Sequence, residues 1–144
     1  MNRIFLDMDG VLVDFDSYKK SLGVTGDILK RVEGIYRKMS PMPGAIAGAH
    51  SLIGKGYEVW VATKPPTGVA FAYADKVSWV LEHLPELKRR IIITHDKGLL
   101  GDEGDILVDD RPHKANCEKF KGKLIHFKSW EALLAEIPNK PRIL

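Results

Sequence analysis

The chain has 144 residues, of which 44% are apolar and 28% are charged. This length and composition predict one folded domain and exclude a disordered chain. The formal net charge of +3 is too small to indicate a binding partner, although residues 111–144 hold eight basic and three acidic residues. This local excess of positive charge could attract a phosphorylated ligand or a nucleic acid, and the alternative is a solvated helix face.

Short apolar runs alternate with helical patterns along the chain. Five runs predict strands, and their β-branched composition is typical of strands buried on both faces of a parallel sheet: residues 3–8, 57–63, 90–94, 105–108 and 123–127. Helices are predicted over residues 45–55, over 69–84, and after a Ser129 cap through Glu136. The second of these has one apolar stripe that we expect to be buried, formed by Val69, Tyr73, Val77, Val80, Leu81 and Leu84. The alternation predicts an α/β fold with a doubly wound, five-stranded parallel sheet, and a ligand site beyond the carboxyl ends of its strands.

Residues 14–43 interrupt this alternation because they contain no strand pattern. Thr25 or Asp27 can cap a helix whose apolar positions run from Ile28 to Met39, and residues 17–22 predict a shorter helix before it. We therefore expect a single domain over residues 1–144, with residues 14–43 forming a small helical cap insert over the end of the first strand.

The segment DMDGVLVDF, from Asp7 to Phe15, follows the first predicted strand directly. Residues two apart on a strand point to the same side, so Asp7 and Asp9 can converge beyond the strand end, where Gly10 permits a turn. Two carboxylates this close repel each other unless a cation lies between them or one takes a proton. A hard cation such as Mg²⁺ would remove the conflict, whereas the alternative is a pair of turn aspartates that cap backbone amides.

A second acidic pair, Asp109 and Asp110, ends the DILVDD strand. In a parallel sheet both strand ends lie at one edge, so Asp109 can approach a cation held by Asp7. The alternative, a solvated acidic rim, explains two such clusters in one short chain less well.

Polar and basic residues follow other strands of the predicted sheet. Thr63 ends the second strand and is followed by Lys64, and Lys97 lies in the loop after the third strand. Each alone is more often a helix cap or a solvated side chain. Together at successive strand ends, they favour binding of a phosphate dianion beside the acidic groups.

The ordered set of motifs DMDGVLVDF, PMPGA, VATKPP and DILVDDRP, with Lys97 before the last, resembles the haloacid dehalogenase (HAD) superfamily of phosphatases. Within it, the motifs are most similar to those of the 5′(3′)-deoxyribonucleotidases. The resemblance implies a Mg²⁺-dependent phosphomonoester hydrolase that acts through an aspartyl-phosphate intermediate.

The resemblance also implies roles for the acidic residues. Asp7 would be the nucleophile, and Asp9 would protonate the leaving alkoxide and then activate water. Asp7, the backbone carbonyl of Asp9, and Asp109 would bind Mg²⁺. Asp110 would orient a metal-bound water or Lys97.

The remaining implied roles concern the substrate. Thr63 and Lys97 would hold the phosphoryl oxygens beside Asp9, with Lys64 as a further donor. Phe15 occupies the position from which the family packs an aromatic ring near the sugar or base. Tyr18 and Tyr36 are further candidates for contact with the base, and packing within the insert is the alternative for all three rings.

Three functions stay open at this stage. The first is hydrolysis of deoxynucleoside monophosphates, with a small phosphorylated nucleotide as the partner and nucleic acid not favoured. The second is hydrolysis of another phosphoester, such as a nucleic-acid 3′-phosphate or a sugar phosphate. The third is a non-catalytic binding protein on the same fold, which the complete residue set disfavours.

The cellular setting is predicted from simpler features. Cys117 is the only cysteine, which excludes an internal disulfide and fits a reducing, cytoplasmic location. The apolar start before Asp7 is too short for a signal peptide. No apolar run approaches the roughly 18 residues of a membrane-spanning helix, so no membrane contact is expected.

Overall fold

The computed structural model describes residues 2–141 and contains one five-stranded sheet. All strand pairs are parallel, and the spatial order is β3-β2-β1-β4-β5. The strands are β1 Arg3–Leu6, β2 Glu58–Thr63, β3 Ile91–Ile93, β4 Ile106–Asp109 and β5 Lys123–His126. Central β1 has Phe5 opposite Trp60 on one side and Leu107 on the other. The predicted α/β fold and all five predicted strands are confirmed.

Within residues 2–141, five α-helices accompany the sheet: α1 Phe15–Leu22, α2 Gly26–Leu29, α3 Ala45–Gly54, α4 Ala70–His83 and α5 Trp130–Glu136. Ser129 caps α5 as predicted, because its side chain accepts the N–H of Ala132 at 3.1 Å. The larger core lies on the face of Ile4 and Leu6, where residues of α3, α4 and α5 are buried with them.

The opposite face of the sheet has a smaller core built around Phe5, Leu107 and Phe120. The connections on either side of β4 cover it with 3-10 turns, Lys97–Leu99 and Cys117–Lys119. The chain adds β2 and β3 on one side of β1 and then β4 and β5 on the other side. Because such connections are right-handed, those that lead to β2 and β3 cross one face of the sheet, and those that lead to β4 and β5 cross the opposite face. The edge created at this change of side is where β1 and β4 end side by side.

Helix α4 buries part of its predicted apolar stripe but not all of it. Tyr73 and Leu81, both expected on the buried stripe, are 39% and 48% exposed. Asp75, Lys76 and Trp79 are buried instead. The reason is that two charged side chains of this helix have polar partners in the interior, which compensate their burial.

The segment over residues 14–43 is helical, but the predicted long helix is wrong. Thr25 caps only the four-residue α2, and the chain then turns until a short 3-10 helix at Tyr36–Lys38. Gly34 lies in these turns with a positive φ of 81°, and its N–H donates to the Asp75 carboxylate at 2.6 Å. This contact joins the insert to α4.

Among residues 2–141, the longest helices are too short, or too polar, to cross a lipid bilayer.

Candidate active site

The loop after β1 carries Asp7 to the edge where β1 and β4 end. The Asp7 N–H donates to Val108 O at 3.0 Å and so continues the pairing of the two strands by one residue. Beyond it the chain turns tightly, and the indole N–H of Trp130 donates to Val11 O at 2.8 Å. A buried anchor from α5 therefore fixes the loop that holds the first acidic motif.

Lys97 joins the two acidic motifs. Its Nζ lies 2.8 Å from Asp7 Oδ1 and 2.7 Å from Asp109 Oδ2, and all three residues are buried. Burial acts to lower the pKa of Lys97, but the charges of Asp7 and Asp109 outweigh it and hold that pKa above its ordinary value. Lys97 is therefore a permanent cation beside the Asp7 carboxylate.

Asp110 is the third carboxylate of this group. Ligand oxygens from Asp7, Asp109 and Asp110 all lie within 4.8 Å of one another. Gly10, at φ +88°, leaves room for Asp110, since a Cβ on Gly10 would lie 2.1 Å from Asp110 Oδ2. Burial and then the neighbouring Asp7 charge raise the pKa of Asp110 to about 8. Several carboxylate oxygens this close together, with too little positive charge beside them, suit the binding of a divalent cation.

Asp109 and Asp110 differ in how many hydrogen-bond donors the rest of the protein provides to their carboxylate oxygens. Asp109 Oδ2 accepts from Lys97, and Asp109 Oδ1 accepts the N–H of Arg111 at 2.8 Å. The Cys117 thiol also lies 3.5 Å from Asp109 Oδ2, and burial followed by the Asp109 charge raises the pKa of that thiol to about 12. Asp109 is thus engaged on both oxygens, whereas Asp110 is short of positive charge.

Asp9 is held on one oxygen only. Its Oδ2 lies 3.5 Å from the Tyr36 hydroxyl and 3.5 Å from Lys76 Nζ. Its Oδ1 is buried without a hydrogen-bond partner within residues 2–141. An orphaned buried carboxylate oxygen is costly. It therefore points to a group supplied by a ligand.

Lys76 belongs to this site although no sequence pattern singled it out. It is fully buried, donates to Thr63 Oγ1 at 2.8 Å, and lies 4.3 Å from the centre of the Tyr36 ring. Burial lowers its pKa, while the charges of Asp9 and Asp7 act in the opposite direction. A lysine inside an apolar helix pattern was the only available signal, and its proximity to Thr63 and Asp9 depends on the tertiary fold.

One cavity of about 360 Å³ collects most of the predicted site residues. The predicted residues that line it are Asp7, Asp9, Lys64, Lys97, Asp109 and Asp110. Thr63 lies behind them, 1% exposed. Phe15 does not line the cavity: its ring is 4% exposed and packs against Tyr36 and Gly26 in the core. Helix α1 starts at Phe15, which turns this side chain inward.

Comparison with known proteins places the chain among nucleotidases. Residues 27–133 match the family described as 5′ nucleotidase, deoxy (pyrimidine), cytosolic type C protein (NT5C). A protein of Vibrio phage KVP40 with the provisional name 5′(3′)-deoxyribonucleotidase is 35% identical over 130 residues, covering 86% of this chain and 74% of its own length. The human cytosolic-type 5′(3′)-deoxyribonucleotidase is 25% identical over 166 residues, covering 92% of this chain and 78% of its own.

Solved structures support the fold. The D,D-heptose 1,7-bisphosphate phosphatase from B. bronchiseptica, complexed with magnesium and phosphate, superposes with a TM-score of 0.53 at 14% identity, covering 94% of this chain and 97% of the other. The corresponding phosphatase from Burkholderia thailandensis gives a TM-score of 0.51 at 13% identity, with the same coverage.

Proposed function

Since this chain belongs to the NT5C family of deoxyribonucleotidases and is a phosphatase, we propose that it hydrolyses deoxynucleoside monophosphates through a phosphorylated Asp7. Its substrate is a small phosphorylated nucleotide, as the names of its relatives indicate. The observation that carries the proposal is the buried contact of Asp7 with Lys97 beside Asp110, with Asp9 two residues away.

Asp7 meets the requirements of a carboxylate nucleophile. Lys97, 2.8 Å away, places a positive charge beside this carboxylate, which lines the cavity. In the first step a bond forms between an Asp7 oxygen and phosphorus while the bond from phosphorus to the nucleoside oxygen breaks. In the second step water attacks phosphorus, the bond to Asp7 breaks, and inorganic phosphate leaves.

Asp9 is suited to move the proton in both steps. Lys76 and Tyr36 lie 3.5 Å from its Oδ2 and orient the carboxyl group, and the Asp9 side chain lines the cavity. A protonated Asp9 gives that proton to the departing nucleoside oxygen. The resulting carboxylate then takes a proton from the attacking water and returns to its starting state.

We further propose Mg²⁺ as the cation of this site. Asp7, the backbone carbonyl of Asp9 and Asp110 would hold it, and Asp109 would instead anchor Lys97. Sequence reasoning assigned these two aspartates the other way round, and the engagement of both Asp109 oxygens by protein donors favours the exchange. When bound there, Mg²⁺ supplies neutralisation of charge on the phosphoryl oxygens.

Donors for the phosphate come from two further elements. Thr63 ends β2 and Lys64 follows it, and Lys97 lies in the loop after β3. The Thr63 hydroxyl accepts from Lys76 at 2.8 Å, so its own hydrogen is available for a phosphoryl oxygen. In this proposal the protein is one domain, and residues 14–43 form a small cap over the site. A cytosolic location would match the name of the human relative.

The test is phosphate release from thymidine and deoxyuridine 5′-monophosphates, from sugar phosphates and from an aryl phosphate. We expect the nucleotides to react fastest, with activity lost in EDTA and restored by Mg²⁺. Asp7→Asn should abolish the activity. A faster reaction with the aryl phosphate than with either nucleotide would contradict the nucleotidase proposal, and retained activity in Asp7→Asn would contradict the nucleophile.

A second experiment separates the two aspartates of the DILVDD strand. Asp110→Asn should raise the Mg²⁺ concentration needed for half-maximal activity by about tenfold or more, in line with loss of a directly bound ligand. Asp109→Asn should lower kcat with a smaller change in that concentration, because it releases Lys97. A larger rise in the required Mg²⁺ concentration for Asp109→Asn than for Asp110→Asn would instead identify Asp109 as the metal ligand. Binding of Mn²⁺, followed by electron paramagnetic resonance, measures the same difference without turnover.

A further inference from the structure

The mouth of the active-site cavity is basic, whereas its floor is acidic. The floor is formed by buried carboxylates with Lys97. Five further basic side chains line the cavity nearer the solvent: Lys30, Arg31, Lys64, Arg111 and Lys114. Asp27 is the acidic residue at the same level. We refer to these five basic residues as the rim.

The rim is drawn from separate parts of the chain. Lys30 and Arg31 follow α2 in the cap segment, whereas Arg111 and Lys114 follow β4 in the core. Within the described residues 2–141, the ion pairs of the protein include no member of the rim. Cations converging on one opening repel one another. A ligand that brings negative charge to this opening would relieve that repulsion.

The cavity lacks the features that would hold a nucleobase by stacking. No aromatic side chain lines it among the described residues. Phe15 and Tyr36 are buried in the core instead, and the Lys30 amine lies 5.3 Å from the centre of the Phe15 ring. Recognition beyond the reacting phosphate therefore depends on charge and hydrogen bonding rather than on ring stacking.

We propose that the rim binds a second phosphate group of the substrate, one nucleoside away from the phosphate that reacts with Asp7. This inference rests on the proposed function, because it assumes that the reacting phosphate lies on the acidic floor. One phosphate there is matched by Lys64, Lys97 and the metal, which leaves the other four rim residues without an anion. Two sources carry a second phosphate at this separation: a nucleoside 3′,5′-bisphosphate and a phosphorylated end of a nucleic acid.

The test compares kcat/KM for thymidine 5′-monophosphate, thymidine 3′,5′-bisphosphate and the 5′-phosphorylated dinucleotide pTpT, with Mg²⁺ at low ionic strength. We expect a preference of about tenfold for the substrates with a second phosphate, the size that a few exposed ion pairs provide. The preference should shrink as salt is added, because exposed charges are screened. A higher rate for the bisphosphate identifies a free nucleotide as the source, and a higher rate for pTpT identifies a nucleic-acid end.

The rim variant Lys30→Gln with Arg31→Gln should remove this preference while changing hydrolysis of the monophosphate by no more than about threefold. The matched control is Arg37→Gln with Lys38→Gln, which removes the same two charge types from exposed positions of the cap segment outside the cavity. It should keep the preference. Equal kcat/KM for all three substrates in the wild-type protein, or equal losses in both variants, would overturn the proposal.

A binding measurement separates failure of the rim from failure of the proposed function. Calorimetry on Asp7→Asn with Mg²⁺ compares the affinities of the bisphosphate and the monophosphate without turnover. If the affinities differ by about tenfold but the wild-type protein hydrolyses no nucleotide, the proposed function fails and the rim stands. If nucleotides are hydrolysed but the affinities are equal, the rim inference is wrong.

Discussion

Replacement of Lys76 by methionine should remove activity without unfolding the protein. Methionine preserves the shape of a fully buried side chain but loses the donation to Thr63 and the charge 3.5 Å from Asp9. A fixed donor in a dry site contributes about 10²–10³ in kcat, or roughly 3–4 kcal/mol. We therefore expect kcat to fall by about two orders of magnitude.

The expected effect of Lys76→Met on stability is smaller. The contact with the Tyr36 ring, 4.3 Å away, contributes about 2 kcal/mol when desolvated, and the hydrogen bond adds about 1.5–3 kcal/mol. Burial of the ammonium group costs several kcal/mol in return. These terms nearly cancel, but the Asp9 carboxylate is left without its cation, so the free energy of unfolding should fall by about 1–3 kcal/mol.

The assay pairs steady-state kinetics with urea unfolding and compares Lys76→Met with Lys55→Met. Lys55 is a partly buried lysine outside the site. Its amine donates to Leu134 O at 2.8 Å and to Ile137 O at 2.5 Å. Its loss should lower stability and leave kcat unchanged. A fall in kcat of less than about fivefold for Lys76→Met would refute the reasoning, because a preorganised donor contributes far more.

Three further predictions concern separate features. Gly10→Ala should abolish activity, because its Cβ would lie 2.1 Å from Asp110 Oδ2; unchanged kcat would show that Asp110 moves freely. Asp105→Asn should lower the free energy of unfolding by about 1–3 kcal/mol at pH 7, since Asp105 accepts from Arg3. Burial acts to raise the pKa of Asp105, but its hydrogen bonds with Arg3 lower that pKa overall. The stabilisation by Asp105 is therefore present above the unfolded pKa of about 3.9 and is lost as the pH falls through the lower folded pKa. Urea titrations of both proteins at pH 7 and pH 3 measure this loss, and an equal difference in unfolding free energy at the two pH values would contradict it. Cys117 is fully buried with a pKa of about 12, so Ellman's reagent at pH 8 should label it only after denaturation, and rapid labelling of the native protein would contradict this.

The sequence predicted the acidic site because its signal is local. Asp7 and Asp109 each follow or end an apolar run, and the rule that parallel strands end at one edge brings them together without knowledge of packing. The choice between Asp109 and Asp110 was beyond this reasoning. It depends on the Arg111 N–H and on the space over Gly10, which only the folded loops define.

Long-range contacts explain what the sequence did not predict. Apolar periodicity placed Tyr73 and Leu81 on the buried stripe of α4, but they are exposed while Asp75 and Lys76 are buried beside polar partners from other elements. The same Asp75 accepts the N–H of Gly34, in the turns that replace most of the predicted cap helix. Tertiary hydrogen bonds overrode helical periodicity in both segments.

The central claim is that Asp7 carries the phosphoryl group during turnover. Acid quenching of the wild-type protein during hydrolysis of thymidine 5′-monophosphate, followed by peptide mass spectrometry, tests it directly. We predict one added phosphoryl group on Asp7 in the peptide that contains DMDG, with none on Asp9 and none in EDTA. Phosphate release at full rate with the group on another residue, or with no phosphorylated enzyme at any quench time, would contradict the account.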